Sequence, residues 1–323
     1  MRAAVCRSYG PPSSVAVEDG WASRPLGDGQ VRVRIGAAAV NFPDVLFVAN
    51  KYQVSVEPPF VPGSEFAGVV AESAAPEFTA GDRVFGSAMV GAFAEEIVVT
   101  PGSLTATPDG VSDARAAAFG VAHRTAYHVL RSVASVEPGE RVVVLGAGGG
   151  VGLAAVQLAR VLGADVTAVA SSEEKLSVAS SFGAATAVNH RAGPLRQALR
   201  ERFPDGVDVV VDPVGGELAE PALRALRYGG RFVTVGYAGG AVPRIPLNLV
   251  LLKGCRILGF EMRSFPGHEP DKSARDIREL MDLLAAGKAY PHLGATFGLD
   301  DAAAALAHVA DGKAIGKVIL EIG

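Results

Sequence analysis

Residues 146–152 read Gly-Ala-Gly-Gly-Gly-Val-Gly, and the chemistry that such a run can do is the binding of a diphosphate. Glycines let the backbone turn tightly and approach an anion with no Cβ in the way. Before the turn stands Arg141-Val142-Val143-Val144-Leu145, with the composition of a buried strand; after it, residues 153–160 have helical composition. Strand, glycine turn and helix make the first unit of a dinucleotide-binding fold, whose helix start aims unpaired N–H groups and a positive dipole end at the phosphates. The strict Gly-x-Gly-x-x-Gly spacing is not met: Ala147 stands at its first position, and Gly146, Gly149 and Gly152 form a spaced variant.

Residues 164–170 read as the next strand, and its tip decides which dinucleotide fits. An NAD site places Asp or Glu there, on the ribose hydroxyls. This strand ends in Ser171-Ser172, with Lys175 just beyond. Two hydroxyls and an ammonium suit a 2′-phosphate, so NADPH is the expected cofactor. The same residues also fit plainer roles: the serines as helix N-caps and Lys175 as a solvated helix lysine. Glu173-Glu174 bring negative charge to the neighbourhood.

The elements that position these residues follow from periodicity and breakers. Helices are expected over 173–182, 194–203 and 216–226, the last ending before Gly229-Gly230. Strands are expected over 185–189, 207–212, 231–236 and 256–260. This alternation implies a doubly wound parallel sheet with right-handed crossovers. Residues 1–120 differ: short strands at 31–35, 68–71, 83–85 and 94–99 lie between Gly and Pro clusters, as in an irregular all-β barrel. After 260 the pattern predicts helices at 271–286 and 300–310 and a closing strand at 317–320. That tail is too small for its own core and is expected to rejoin the first domain.

The 323-residue chain suits two domains. Its 30 basic and 34 acidic residues give a net charge of −4, which gives no electrostatic case for nucleic acid or membrane. Two cysteines, Cys6 and Cys255, build no disulfide framework, and a reducing cytoplasm is the expected location. No apolar stretch is long enough to span a bilayer.

Several segments together resemble the zinc-independent quinone oxidoreductases of the medium-chain dehydrogenase/reductase superfamily (zeta-crystallin-like). They are Asn41-Phe42-Pro43-Asp44, Gly63-Ser64-Glu65-Phe66-Ala67-Gly68, Gly81-Asp82-Arg83-Val84, the glycine turn with its helix, residues 230–240, Ile245-Pro246-Leu247-Asn248 and Gly316-Lys317-Val318. The resemblance runs along essentially the whole chain. It implies a GroES-like catalytic domain from 1–121 and 262–323, a Rossmann domain from 122–261, NADPH, and a homodimer whose edge would be residues 249–253 and 256–260. In the zinc-dependent branch a Gly-His-Glu motif supplies a ligand; here it reads Gly63-Ser64-Glu65, so the histidine is missing. Two distant cysteines do not supply a zinc site.

Without a metal, alkoxide stabilisation is lost, but an electron-poor acceptor can still take hydride at carbon. The resemblance places Asn41 and Tyr52 at the nicotinamide and acceptor as hydrogen-bond donors; a turn amide and a packed loop aromatic are their plainer roles. Asp44 joins them as a catalytic candidate or only orders the loop. It assigns Thr125 to the nicotinamide, Gly149, Gly150 and Val151 to the pyrophosphate, and Ser171, Ser172, Lys175 and His190 to the adenosine end. Tyr237 and Phe260 are candidate walls of the nicotinamide pocket, and Lys317 is a further cofactor candidate. His123-Arg124 and Glu261-Met262-Arg263 depart from the family pattern near the acceptor. The expected reaction is NADPH-dependent quinone reduction without metal. Enone or enoyl-thioester reduction is the alternative, and a low-turnover NADPH-binding structural or regulatory protein is the reading from another class.

Overall fold

The computed structural model describes residues 1–323. The first part of the chain forms strands β1 (Ala3–Cys6), β2 (Val15–Glu18), β3 (Val31–Val40), β4 (Glu65–Ser73), β5 (Arg83–Ser87), β6 (Glu96–Val99) and β7 (Leu104–Ala106), with helices α1 (Phe42–Val48) and α2 (Asp113–His128). The middle alternates β8 (Arg141–Leu145), α3 (Gly150–Val161), β9 (Asp165–Ala170), α4 (Glu173–Ser181), β10 (Thr186–Asn189), α5 (Leu195–Arg202), β11 (Val207–Asp212), α6 (Ala219–Arg224), β12 (Leu226–Thr234), α7 (Leu247–Lys253) and β13 (Arg256–Gly259). Then come α8 (Phe265–His268), α9 (Pro270–Ala285), β14 (Leu293–Gly298), α10 (Ala302–Ala310) and β15 (Lys317–Glu321).

The chain divides into two compact units, Met1–Val121 with Pro291–Gly323, and Ala122–Tyr290. In the first, seven strands form one sheet in the order β14-β15-β3-β4-β5-β7, with β6 also paired to β3, and β1 and β2 form a separate hairpin. Its core includes Ile35, Phe66, Phe93, Leu306 and Leu320. The returning strand β15 pairs antiparallel with β3, Val318 opposite Val40. That ladder brings the chain's end back to its beginning.

The second unit is a parallel six-stranded sheet in the order β10-β9-β8-β11-β12-β13. This is the doubly wound order, in which ligands bind at the carboxyl ends of the strands where the winding reverses. In β8 residues 142–145 are wholly buried, as expected of a strand covered on both faces.

Three differences from the sequence expectation have physical causes. Residues 1–120 are not all β. Asn41 and Asp44 start α1, the Asn41 N–H donating to Asp44 Oδ2 at 2.7 Å, which is half of a capping box. Gly229-Gly230 do not separate a helix from a strand. The helix stops at Arg224, and the pair sits inside β12, where the ladder to β11 shifts between Val207 and Val209. Residues 262–290, expected with the outer segments, group with the central unit. From α9, Asp276 receives His128 Nδ1 at 2.9 Å and Ser132 at 2.5 Å, while Glu279 receives Tyr127 at 2.8 Å and Arg131 at 3.0 Å. These buried and half-buried bonds tie the helix to the end of α2 and the π-turn after it.

Candidate functional site

Each unit carries one candidate region. In the first unit, the start of β4, the start of α1 and the start of β15 bring Glu65, Asn41, Asp44 and Lys317 together. Gly63 fixes the approach to β4: its φ is +96°, and a Cβ there would lie 2.3 Å from the buried Phe93 ring. Glu65 and Lys317 are buried, and Lys317 Nζ donates to Glu65 Oε2 at 2.9 Å and to Asn41 Oδ1 at 2.5 Å. Asn41 Nδ2 donates to the same Glu65 oxygen at 3.0 Å, and the Val121 N–H to Oε1 at 2.5 Å. Both ends of the Asn41 amide are therefore engaged, and its orientation is fixed by an internal ion pair. Asp44 is fully buried, and its Oδ1 has no hydrogen-bond partner. Burial pushes its carboxyl up to about 7, against the Asn41 N–H, the Ser64 hydroxyl and the Lys317 charge, with Glu65 adding to the rise. Tyr52 is half-buried in this unit, its ring 4.7 Å from that of Phe47.

In the second unit, the glycine turn joins β8 to α3. Gly149 is the N-cap, and a helix start leaves the N–H groups of Gly150 and Val151 without intrahelical acceptors. A Cβ on Gly152 would lie 2.1 Å from the Gly146 carbonyl oxygen, so the close return of the turn depends on glycine. At the tip of β9, Ser172 caps α4, accepting the Lys175 N–H at 3.3 Å. Ser171 beside it is half-buried. The stem of Lys175 lies over Gly148, whose Cβ would meet it at 2.6 Å. Burial lowers the Lys175 ammonium, and the Arg191 charge lowers it further. His190, after β10, is lowered by burial, then by Arg191 and Lys175. Lys175, His190 and Arg191 thus lie at one end of the sheet, where Arg191 lowers both neighbours and Glu174 offsets part of the effect on Lys175. Glu173 is turned to the Asn189 side chain at 2.8 Å. Sequence reasoning misses Arg191; its signal is a cation directly after His190 at the end of a strand.

The remaining assignments fall in two places of this unit. Thr125 is buried and donates to Met262 Sδ at 3.1 Å. Phe260 lies 5.9 Å from the His128 ring and 5.3 Å from that of Phe265. Tyr237 is partly exposed, with its hydroxyl 3.4 Å from Thr234 Oγ1. Lys317, a cofactor candidate in the sequence, is instead occupied by Glu65 and Asn41 in the first unit.

A cofactor with a diphosphate and a further phosphate fits the second region. The turn closes on itself too tightly for a Cβ at Gly152 and leads into the open N–H groups at the start of α3, while Lys175 and Arg191 are cationic partners and His190 a hydrogen-bond donor for the extra phosphate. No three His, Cys, Asp or Glu side chains come together in a metal-binding group. No helix is long and apolar enough to cross a membrane.

Two family models match the chain: the alcohol dehydrogenase GroES-like domain over residues 27–109 and the zinc-binding dehydrogenase over 150–286. Quinone oxidoreductase-like protein 2 of Bos taurus is 36% identical over 325 residues, covering 99% of this chain and 92% of the relative. The structure of the Thermus thermophilus quinone oxidoreductase, studied also in complex with NADPH, superposes with a TM-score of 0.87 at 32% identity, covering 99% of this chain and 100% of that one. The Escherichia coli quinone oxidoreductase complexed with NADPH gives 0.91 at 25% identity, with coverage of 99% and 100%. With a GroES-like β unit, a doubly wound unit and this likeness along its full length, the chain belongs to the zinc-independent, quinone oxidoreductase-like (zeta-crystallin-like) subfamily of the medium-chain dehydrogenase/reductase superfamily.

Proposed function

We propose that the chain is an NADPH-dependent oxidoreductase that reduces quinones without a metal. The observation that carries the choice of cofactor is the tip of β9. No acid stands at the place of a ribose-binding carboxylate, and Lys175, His190 and Arg191 lie there, with Lys175 and His190 lowered chiefly by burial and then by the Arg191 charge. A dianionic 2′-phosphate offsets that charge and makes charge-assisted hydrogen bonds.

Gly149, Gly150 and Val151 hold the pyrophosphate at the start of α3. Ser171, Ser172, Lys175, His190 and Arg191 hold the adenosine phosphate. Thr125, Tyr237 and Phe260 bound the nicotinamide. The reduced cofactor supplies hydride when bound. Asn41, its amide fixed by Lys317 and Glu65, and Tyr52 orient the acceptor carbonyl. An electron-poor acceptor needs only such positioning and a proton. Oxidation of NADPH and NADH against a benzoquinone, a phenanthrenequinone, an enal and crotonyl thioester tests the reading. Rapid NADPH oxidation by quinones, with little from NADH or the thioester, is the expected result. Preference for the thioester makes the chain an enoyl reductase, and tight NADPH binding without turnover makes it a binding protein.

We also infer a homodimer. Strand β13 ends the sheet with most of its length exposed, and Tyr228, Leu247, Leu251 and Leu252 beside it are 78%, 77%, 81% and 72% exposed. An open strand edge with an apolar border is a template for a second copy. Light scattering is expected to show a dimer for the native chain and a monomer for Leu251→Asp/Leu252→Asp.

A further inference from the structure

In the first unit's buried cluster nearly every polar atom is spent. Glu65 Oε1 accepts from the Val121 N–H, and Oε2 from Asn41 and Lys317. Asn41 Oδ1 accepts from Lys317, and Asp44 Oδ2 from the Asn41 N–H. Two groups are left over. One is Asp44 Oδ1, buried without a partner in a fully enclosed side chain. The other is the Ser64 hydroxyl, 3.5 Å from Asn41 Nδ2 and close enough to Asp44 to act on its carboxyl. Ser64 is partly exposed, and Asp44 is not. A buried oxygen with no partner costs free energy, and a proton on it relieves that cost. The hydroxyl is a partly exposed neighbour that acts on this carboxyl.

We propose that Ser64 delivers the proton that the reduced acceptor needs, and that Asp44 replaces it. The inference rests on the quinone-reductase reading above. An acceptor oxygen that takes over the Asn41 Nδ2 hydrogen now 3.5 Å from Ser64 Oγ is within reach of the Ser64 hydroxyl. A bound reduced cofactor would supply hydride to an acceptor carbon, and the carbonyl electron pair would then move onto the acceptor oxygen. That oxygen bonds to the Ser64 hydrogen as the Ser64 O–H breaks. The Asp44 O–H breaks in turn and restores the Ser64 hydroxyl. Asp44 is left ionised and recovers a proton from water after the product leaves. Lys317 and Glu65, of opposite charge, are the ionisable groups that face Asp44. They are buried and paired with each other. Ser64 is the catalytic residue, and Asp44 is the proton store behind it.

The test pairs turnover with a direct view of the carboxyl. Infrared difference spectra across a pH titration should show a protonated-carboxyl C=O band that disappears as pH rises through about 7 and is absent from Asp44→Asn. NADPH-dependent quinone reduction should fall over the same range. Ser64→Ala should lose about a hundredfold in kcat, the low end for a positioned general acid, with the band kept and KM little changed. Ser64→Thr, which keeps a hydroxyl, should recover most of the rate. Tyr52→Phe should keep the pH break whatever its rate. A band missing on the acid side of 7 overturns the proposal for any acceptor, as does a Ser64→Ala enzyme with unchanged kcat and pH profile. If Asp44→Asn fails to fold, the serine variants and the native titration decide. If no acceptor oxidises NADPH although the band titrates, the quinone-reductase reading fails and takes the acid role with it.

Discussion

The two candidate regions treat positive charge in opposite ways. In the first unit Lys317 is 4% exposed and its ammonium is consumed by Glu65 and Asn41. At the tip of β9, Lys175, His190 and Arg191 gather at one strand end, and Lys175 and His190 are held below their ordinary pKa values. A cation neutralised inside the fold has done its work before any ligand arrives: it orients Asn41. Basic groups that lower one another's pKa favour an anion that offsets their charge. The contrast separates positioning from binding, and each change below tests one side of it.

The largest effect is expected at Lys317. Replacing it by Met leaves the Glu65 carboxylate buried and unpaired, and breaking a buried pair this way costs about 3–5 kcal/mol. Denaturant unfolding of Lys317→Met should show that loss, and Lys317→Met/Glu65→Gln should recover most of it. A single variant as stable as the native chain would show that the pair is not what neutralises Glu65.

Asp44 should set the pH dependence of stability. Its folded carboxyl stands at about 7 against an ordinary 3.8. Between these values the folded chain holds a proton that the unfolded chain has lost, so stability falls as pH rises through this window and is level above it. The full drop is at most about 4 kcal/mol for a shift of this size. Thermal unfolding of Asp44→Asn between pH 4 and 8 should lack the decline that the native chain shows.

Lys175→Ala tests the other region. It should raise KM for NADPH about 10- to 100-fold, the worth of about 1.4 to 2.8 kcal/mol of charge-assisted hydrogen bonding. KM for NADH should be nearly unchanged. An equal loss with both cofactors would place Lys175 away from the extra phosphate.

Legibility in the sequence follows the range of the interactions. The turn at 146–152 and the serines at 171 and 172 are local, and the structure has them at a helix start and a strand tip. The six parallel strands are readable because each is a short apolar run between breakers. Glu65 and Lys317 are 252 residues apart, so no spacing announces their pairing, and from the family resemblance Lys317 reads only as a further cofactor candidate. Helix α9 reads into the wrong unit for a similar reason. Its amphipathic pattern shows that it packs on something, but not that Asp276 and Glu279 meet His128, Ser132, Tyr127 and Arg131. The Gly229-Gly230 pair misleads because glycine marks a strand bulge as readily as a break.

Arg191→Ala should give the smallest change and the finest test of the contrast. Arg191 is exposed, so its attraction for a phosphate is screened by salt within about a nanometre. A loss of NADPH affinity of about three- to tenfold is expected at low ionic strength, shrinking as salt is added. Removing Arg191 also takes away a charge that lowers both His190 and Lys175. The His190 ring, followed by NMR titration without cofactor, should therefore move up towards its ordinary value. In the native chain, bound NADPH should move it up too, because a phosphate offsets the same positive charge. NADH, which lacks that phosphate, should move it much less. If Arg191→Ala leaves the His190 titration unchanged, the basic groups do not act on one another. The region would then be three independent basic side chains, and its opposition to the closed pair at Lys317 would disappear.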